Sequence, residues 1–226
     1  MSMDKALRRA LLFSALDEEA AQALRSSMTE HKAAKGAVIF AEGDPGDRLY
    51  VVMQGKVKLG SQSADGRENM FAVLGPGEMF GELSLFDPSP RAATAVALTD
   101  VTLLGLANDA LQPWLTGRPE VAIGLLKALS RRMRKTHDSL SDLVFTDVPG
   151  RVAKALIELA KKFGEDEGNG IRVNHDLTQE ELAQLVGASR ETVNKALADF
   201  AQRGWIVLEQ KSVLIMEIDR LQRRAH

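Results

Sequence analysis

Cysteine is absent from this 226-residue chain. That gap excludes disulfides, thiolate zinc sites, cysteine-ligated iron–sulfur clusters, cysteine nucleophiles and sensing by thiol chemistry. Long apolar runs are missing too. None approaches the ~18 residues a membrane-spanning helix needs, so no membrane partner is expected. The opening Met1–Phe13 lacks the extended apolar stretch and small-residue cleavage site of a secretory signal, and cytoplasmic residence is the expectation. Neither sign of charge is in excess: 29 Lys and Arg face 31 Asp and Glu, so contact with a polyanion has to come from a local patch. Histidine occurs only at His31, His137, His175 and His226, far apart in the chain. There is no phosphate-loop pattern, no two-histidine zinc helix and no nucleophile elbow. Gly75-Pro76-Gly77 followed by Gly81 is too irregular for a dinucleotide fingerprint, so no enzyme is expected.

What is present is an ordinary globular composition, 45% hydrophobic and 27% charged, on a chain long enough for two domains of unequal size. Leu7, Leu11, Leu12, Leu16, Ala20, Ala23 and Leu24 predict two short helices, broken near an N-cap-like Ser14-Ala15-Leu16-Asp17. From Lys35 to about Ala107 short β-type runs take over: Ala37–Phe40, Leu49–Met53, Lys56–Leu59 and Met70–Leu74. Glycines punctuate them, and Asp65-Gly66 is a hairpin signal. These strands predict an antiparallel roll, assigned with the N-terminal helices to residues 1–116.

Helical texture returns after Pro119. Leu126, Leu129, Met133, Thr136, Leu140 and Leu143 recur at heptad spacing, a seam too narrow to cover a broad core. Residues 117–146 are therefore expected to form a helix that pairs with its copy in a homodimer. The alternative left open is that the stripe packs on the chain's own β-roll. Arg131, Arg132, Arg134 and Lys135 are expected on its solvated flanks. Phe145-Thr-Asp-Val-Pro-Gly150 breaks the helix, with Asp147 placed to cap the next one, and opens a domain over 147–226. In it a helix from Arg151 to Phe163, an acidic glycine-rich loop from Gly164 to Gly170, two helices and a final strand pair are expected.

Asp176–Leu197 carries the densest local signal. Thr178 and Glu181 form a capping box; Leu182, Leu185 and Val186 face inward; Ala183 permits a close crossing; Gly187 supplies a tight turn; Ser189 caps a second helix held by Val193 and Leu197. These spacings predict a helix-turn-helix that binds double-stranded DNA. Arg190, Glu191, Thr192, Asn194 and Lys195 lie where a recognition helix meets base edges, in the residue types that read guanine, cytosine, thymine methyl and phosphate. Strands around Glu209-Gln-Lys211 form a wing, with Lys211 as a phosphate contact. An αα-hairpin with a merely solvated Arg190 and Glu191 is the competing reading.

Gly77-Glu-Met-Phe-Gly-Glu-Leu-Ser-Leu-Phe-Asp-Pro-Ser-Pro-Arg-Ala-Ala-Thr94 sets a glycine turn beside a carboxylate and, after a proline-rich loop, an arginine. A cyclic phosphate needs backbone N–H donors and one cation, and a ribose hydroxyl needs an acceptor; Arg91 and Glu82 fit these roles. A buried Arg–Glu pair in a barrel would look the same.

From about Phe13 to its end the chain resembles the cyclic-AMP receptor protein family of bacterial regulators, the CRP/FNR superfamily. Phe145-Thr-Asp-Val-Pro-Gly-Arg-Val-Ala-Lys154 and Gly187-Ala-Ser-Arg-Glu-Thr-Val-Asn-Lys195 look most like its actinobacterial cyclic-AMP-responsive members. The resemblance implies an α+β architecture: an N-terminal antiparallel β-roll of the cyclic-nucleotide-binding fold, a long dimerisation helix and a C-terminal winged helix-turn-helix. It implies a regulator responding to cyclic AMP and acting with RNA polymerase. Gly81, Glu82, Leu83 and Ser84 would belong to the phosphate-binding cassette, with Glu82 on the ribose hydroxyl and Arg91 on the phosphate, while Thr136 would meet the adenine amino group. Ala92 stands where many bacterial relatives have Ser or Thr, so its backbone N–H would serve instead. His137 stands where Ser or Asn usually reaches the base from the partner subunit. A response to another nucleotide, or DNA binding without effector, is the alternative.

Overall fold

The structure, a computed structural model, describes all residues except 1–5, 7–8, 11–12, 14–15, 64–65, 67, 87–88 and 226. The expectations placed on Leu7, Leu11, Leu12, Ser14, Asp65 and His226 lie outside the described residues. Two compact units are formed, one from residues 1–62 and 72–134, the other from 63–71 and 135–226.

In the first unit helix α1 (Glu18–Ser26) is capped by Asp17, whose carboxylate accepts the Ala20 N–H at 2.7 Å, and buries Ala20 and Leu24. The strands that follow are β1 (Thr29–Ala33), β2 (Val38–Phe40), β3 (Arg48–Gln54), β4 (Val57–Gln62), β5 (Glu68–Leu74, of which 72–74 belong to this unit), β6 (Met79–Phe80), β7 (Thr94–Ala97) and β8 (Val101–Ala107). Helix α2 (Leu83–Phe86) interrupts them between β6 and β7. The strands make two sheets, in the orders β1-β8-β3-β6 and β2-β7-β4-β5. Strand β3 explains the layering. Its side chains alternate with period two, yet five consecutive residues from Leu49 to Met53 are buried. Leu49, Val51 and Met53 enter one core with Leu104, Leu106, Leu111 and Leu125, while Tyr50 and Val52 enter another with Val57, Leu59, Phe80 and Leu103. The strand is apolar on both faces because both are covered.

Helix α3 (Asn108–Gly117) leads into the 27-residue α4 (Pro119–Phe145). Val121, Gly124 and Leu125 bury one face of α4. The heptad seam lies elsewhere. Leu126 and Met133 share a unit with the roll yet are 63% exposed, so the roll does not cover them; Leu140 is 57% exposed and Leu143 52%.

In the second unit Asp147 caps α5 (Val148–Phe163), accepting the Gly150 N–H at 3.0 Å, and Pro149 sits in the first turn, where a helix needs no N–H donor. The segment expected as a loop carries strand β9 (Gly164–Asp166), which pairs with β10 (Ile171–Asn174). The Glu167 N–H reaches the Gly170 carbonyl at 3.0 Å, and Gly168 takes φ +79°. Turn residues dominate the composition here and conceal the short strand. Helices α6 (Gln179–Val186) and α7 (Arg190–Gln202) precede the hairpin of β11 (Ile206–Glu209) and β12 (Ser212–Ile215), and the sheet order is β11-β12-β10-β9. An unanticipated helix α8 (Ile218–Arg224) packs on α5 through fully buried Leu221, and its Arg224 pairs with Asp147 at 2.6 Å.

Candidate functional site

Gly81 stands at φ +78°, a conformation that suits glycine, and a Cβ there would lie 2.8 Å from Arg91 Nη1 and 3.2 Å from the Arg48 carbonyl. The turn therefore passes directly beneath the arginine. Arg91 is 3% exposed. Its Nη1 donates to the Gly81 carbonyl at 2.8 Å, Nη2 stands 3.4 Å from Asp47 Oδ1, and the guanidinium carbon lies 4.3 Å from the Phe40 ring centroid. Nε is buried without a hydrogen-bond partner among the described residues. Burial outweighs the nearby Tyr50 and Asp47 and holds the Arg91 pKa below the usual guanidinium range.

Glu82 is 2% exposed and does not pair with Arg91. Its Oε1 accepts from Arg132 Nη1, and Oε2 is buried without a partner among the described residues. Ser84 is buried under Gly46, where a Cβ would come within 1.9 Å of the serine Cβ; Leu83 is half exposed and Ala92 exposed. The first unit thus gathers Gly81, Glu82, Leu83, Ser84, Arg91 and Ala92. Thr136 and His137 belong to the second unit and are exposed, Thr136 one helical turn beyond Arg132 on α4.

Arg132 corrects an expectation, since it engages Glu82 instead of standing on a solvated flank. The signal is available in the helical period: Val121, Leu125 and Arg132 recur at four and seven residues, so the arginine continues the buried face. Phe40, Gly46 and Asp47 escape sequence reasoning for a different reason. They reach Arg91 and Ser84 from strand β2 and the β2–β3 loop, about 40 to 50 residues away in sequence, which local patterning does not report.

In the second unit Thr178 Oγ1 accepts the Glu181 N–H at 3.1 Å while Glu181 accepts the Thr178 N–H at 2.8 Å, starting α6. Gly187 ends it in the left-handed region at φ +69°, and Ser189 Oγ accepts the Thr192 N–H at 3.2 Å to start α7. Leu182, Ala183 and Val186 of α6 and Val193, Ala196, Leu197 and Phe200 of α7 are buried. Arg190, Glu191, Thr192 and Lys195 are exposed, with Glu191 and Lys195 paired at 2.7 Å. A pair that open to water contributes little and is readily exchanged for a ligand. Asn194, expected outward, is half-buried: its Nδ2 donates to Gln179 at 3.2 Å and its Oδ1 has no partner among the described residues. Gln179 also accepts from Arg190 at 3.4 Å. Lys211 turns the β11–β12 hairpin at φ +60°, and its carbonyl accepts the Asp176 N–H at 2.9 Å, tying wing to helix start. A cleft of about 390 Å³ lies between them, lined by Leu177, Thr178, Arg190, Leu208 and Lys211.

Comparison with known proteins divides the chain in the same way. The cyclic nucleotide-binding domain family matches residues 30–116, and the Crp-like helix-turn-helix domain family matches residues 150–224. The chain is 56% identical over 223 residues to the CRP-like cAMP-activated global transcriptional regulator of Mycobacterium tuberculosis, covering 99% of this chain and 100% of that one. It is 38% identical over 183 residues to the cyclic AMP receptor protein of Thermus thermophilus, covering 81% of this chain and 82% of the relative. Among solved structures, a CRP/FNR-family transcriptional regulator, also from Thermus thermophilus, superposes with a TM-score of 0.74 at 29% identity, over 87% of this chain and 98% of the other. Both family matches fall in the same order as the roll and the helix-turn-helix, the relatives align over most of their length, and the chain belongs to the CRP/FNR family of transcription regulators.

Proposed function

We propose that this chain is a cyclic-AMP-responsive transcription regulator that acts as a homodimer on a palindromic DNA operator. Residues 1–116 receive the nucleotide, 117–146 pair the two copies, and 147–226 read DNA. The observation that carries the reading is a pair of buried polar atoms of opposite character in one cassette, neither with a partner among the described residues: Arg91 Nε and Glu82 Oε2. A buried polar group without a partner is costly. A ligand offering an anionic oxygen and a hydroxyl would satisfy both, and a cyclic nucleotide offers a phosphate and a ribose hydroxyl. Arg91 would take the phosphate on its Nε and Nη2 edge, helped by the backbone around Gly81, Leu83, Ser84 and Ala92. Glu82, steadied by Arg132, would take the ribose hydroxyl. Thr136 and His137 on α4 would meet the base, so occupancy of the roll would bias the dimer helix and the Phe145–Gly150 break.

On the DNA side Thr178, Ser189, Thr192 and Lys211 would hold phosphates, and Arg190, Glu191 and Lys195 would face base edges of half-sites about one helical turn apart, with the half-buried Asn194 bracing them through Gln179. The protein works without catalysis, in the cytoplasm, and engages RNA polymerase at its targets. Titration calorimetry with cyclic AMP tests the effector: one site per chain is expected, and absence of binding, or equal binding of cyclic GMP, contradicts the proposal. Replacing Arg190 with alanine should cost about 1–3 kcal/mol on the intact operator and less on one mutated at the contacted guanine. An unchanged ranking of mutated operators would remove Arg190 from base reading.

A further inference from the structure

Arg91 presents a planar cation with one face and two edges accounted for differently. One edge is fixed, since Nη1 donates to the Gly81 carbonyl at 2.8 Å. The Phe40 ring covers a face, with the guanidinium carbon 4.3 Å from its centroid. The Nε and Nη2 edge remains: among the described residues Nε has no partner, and Nη2 has Asp47 Oδ1 at 3.4 Å. Asp47 is itself committed to Arg48, which donates to its other oxygen at 2.7 and 3.0 Å. A guanidinium held by a ring on its face keeps its in-plane N–H groups free for bidentate bonding to an anion.

Phe40 is well placed for that duty because it is not free to turn. It stacks on Tyr50 at 6.1 Å and tilts against Phe80 at 5.8 Å, and those two rings stack at 5.3 Å. Its edge also approaches Gly81, whose added Cβ would lie 3.5 Å from Phe40 Cε1. Building on the assignment of the cyclic phosphate to Arg91, we infer that Phe40 is a positioning residue for nucleotide binding: its ring holds the buried guanidinium flat so that the Nε and Nη2 edge faces the phosphate. The lowered pKa of Arg91 agrees, because a cation stripped of water gains most from a ring face.

The test uses the full-length dimer and calorimetry with cyclic AMP. Phe40→Leu should weaken binding by about five- to thirtyfold, and Phe40→Trp, which keeps a strong ring face, should stay within about twofold of wild type. Leucine also alters packing, so a series of mono-, di- and trifluorinated phenylalanines at position 40 separates shape from electrostatics. Affinity should fall stepwise with fluorine content while the thermal midpoint of the nucleotide-free protein stays constant. Arg91→Leu runs alongside. If it abolishes binding while Phe40→Leu and the fluorinated series bind like wild type, the positioning role is overturned and the phosphate assignment stands. If Arg91→Leu itself binds like wild type, the phosphate assignment fails and the role of Phe40 fails with it.

Discussion

Arg91→Leu should abolish the response to cyclic AMP while leaving the protein folded. Removing one partner of a buried, hydrogen-bonded charge pair costs about 2–5 kcal/mol or more in binding, roughly 30-fold to several thousandfold. Stability should move the other way or not at all. Arg91 is a nearly inaccessible cation whose one carboxylate contact among the described residues, Asp47, stands at 3.4 Å and whose Nε has no hydrogen-bond partner among them. Exchanging a poorly compensated buried charge for an apolar side chain is often neutral or stabilising. Calorimetry and a thermal melt check the two halves. Lost affinity with an equal or higher melting temperature is expected, whereas lost affinity with a collapsed melting transition would mark Arg91 as a structural residue.

Leu140→Glu should convert the dimer to a monomer. Leu126, Met133, Leu140 and Leu143 expose an apolar stripe along α4. A glutamate at 140 would meet its own copy across a two-fold axis, adding like-charge repulsion to lost burial. Sedimentation should give the mass of one chain, and operator affinity should fall by about 100-fold or more, because two half-sites are no longer gripped by one linked pair of modules. Lys127→Glu, exposed and off the stripe, serves as the control and should remain dimeric. A dimeric Leu140→Glu would place the subunit contact elsewhere.

The helix-turn-helix is legible in the sequence because its determinants are local. Thr178 with Glu181, Gly187, and Ser189 with Thr192 each act within three or four residues, and all take the conformations their types favour. The candidate nucleotide cassette is not. The residues alone leave open a buried pair of Arg91 with Glu82, and in the fold each has other partners: Asp47 and the Gly81 carbonyl for one, Arg132 for the other. Those partners arrive from the β2–β3 loop, the turn after β6 and α4, so only the assembled roll discloses them. Strand β9 is concealed by turn residues, and α8 by its seven-residue length, too short for a helical period to register.

The most direct test of the account is an anisotropy titration of a palindromic operator duplex with purified full-length protein, with and without saturating cyclic AMP, at one fixed salt concentration. A tighter curve with the nucleotide, lost in Arg91→Leu, is the predicted result. Superimposable curves for the wild-type protein would contradict it.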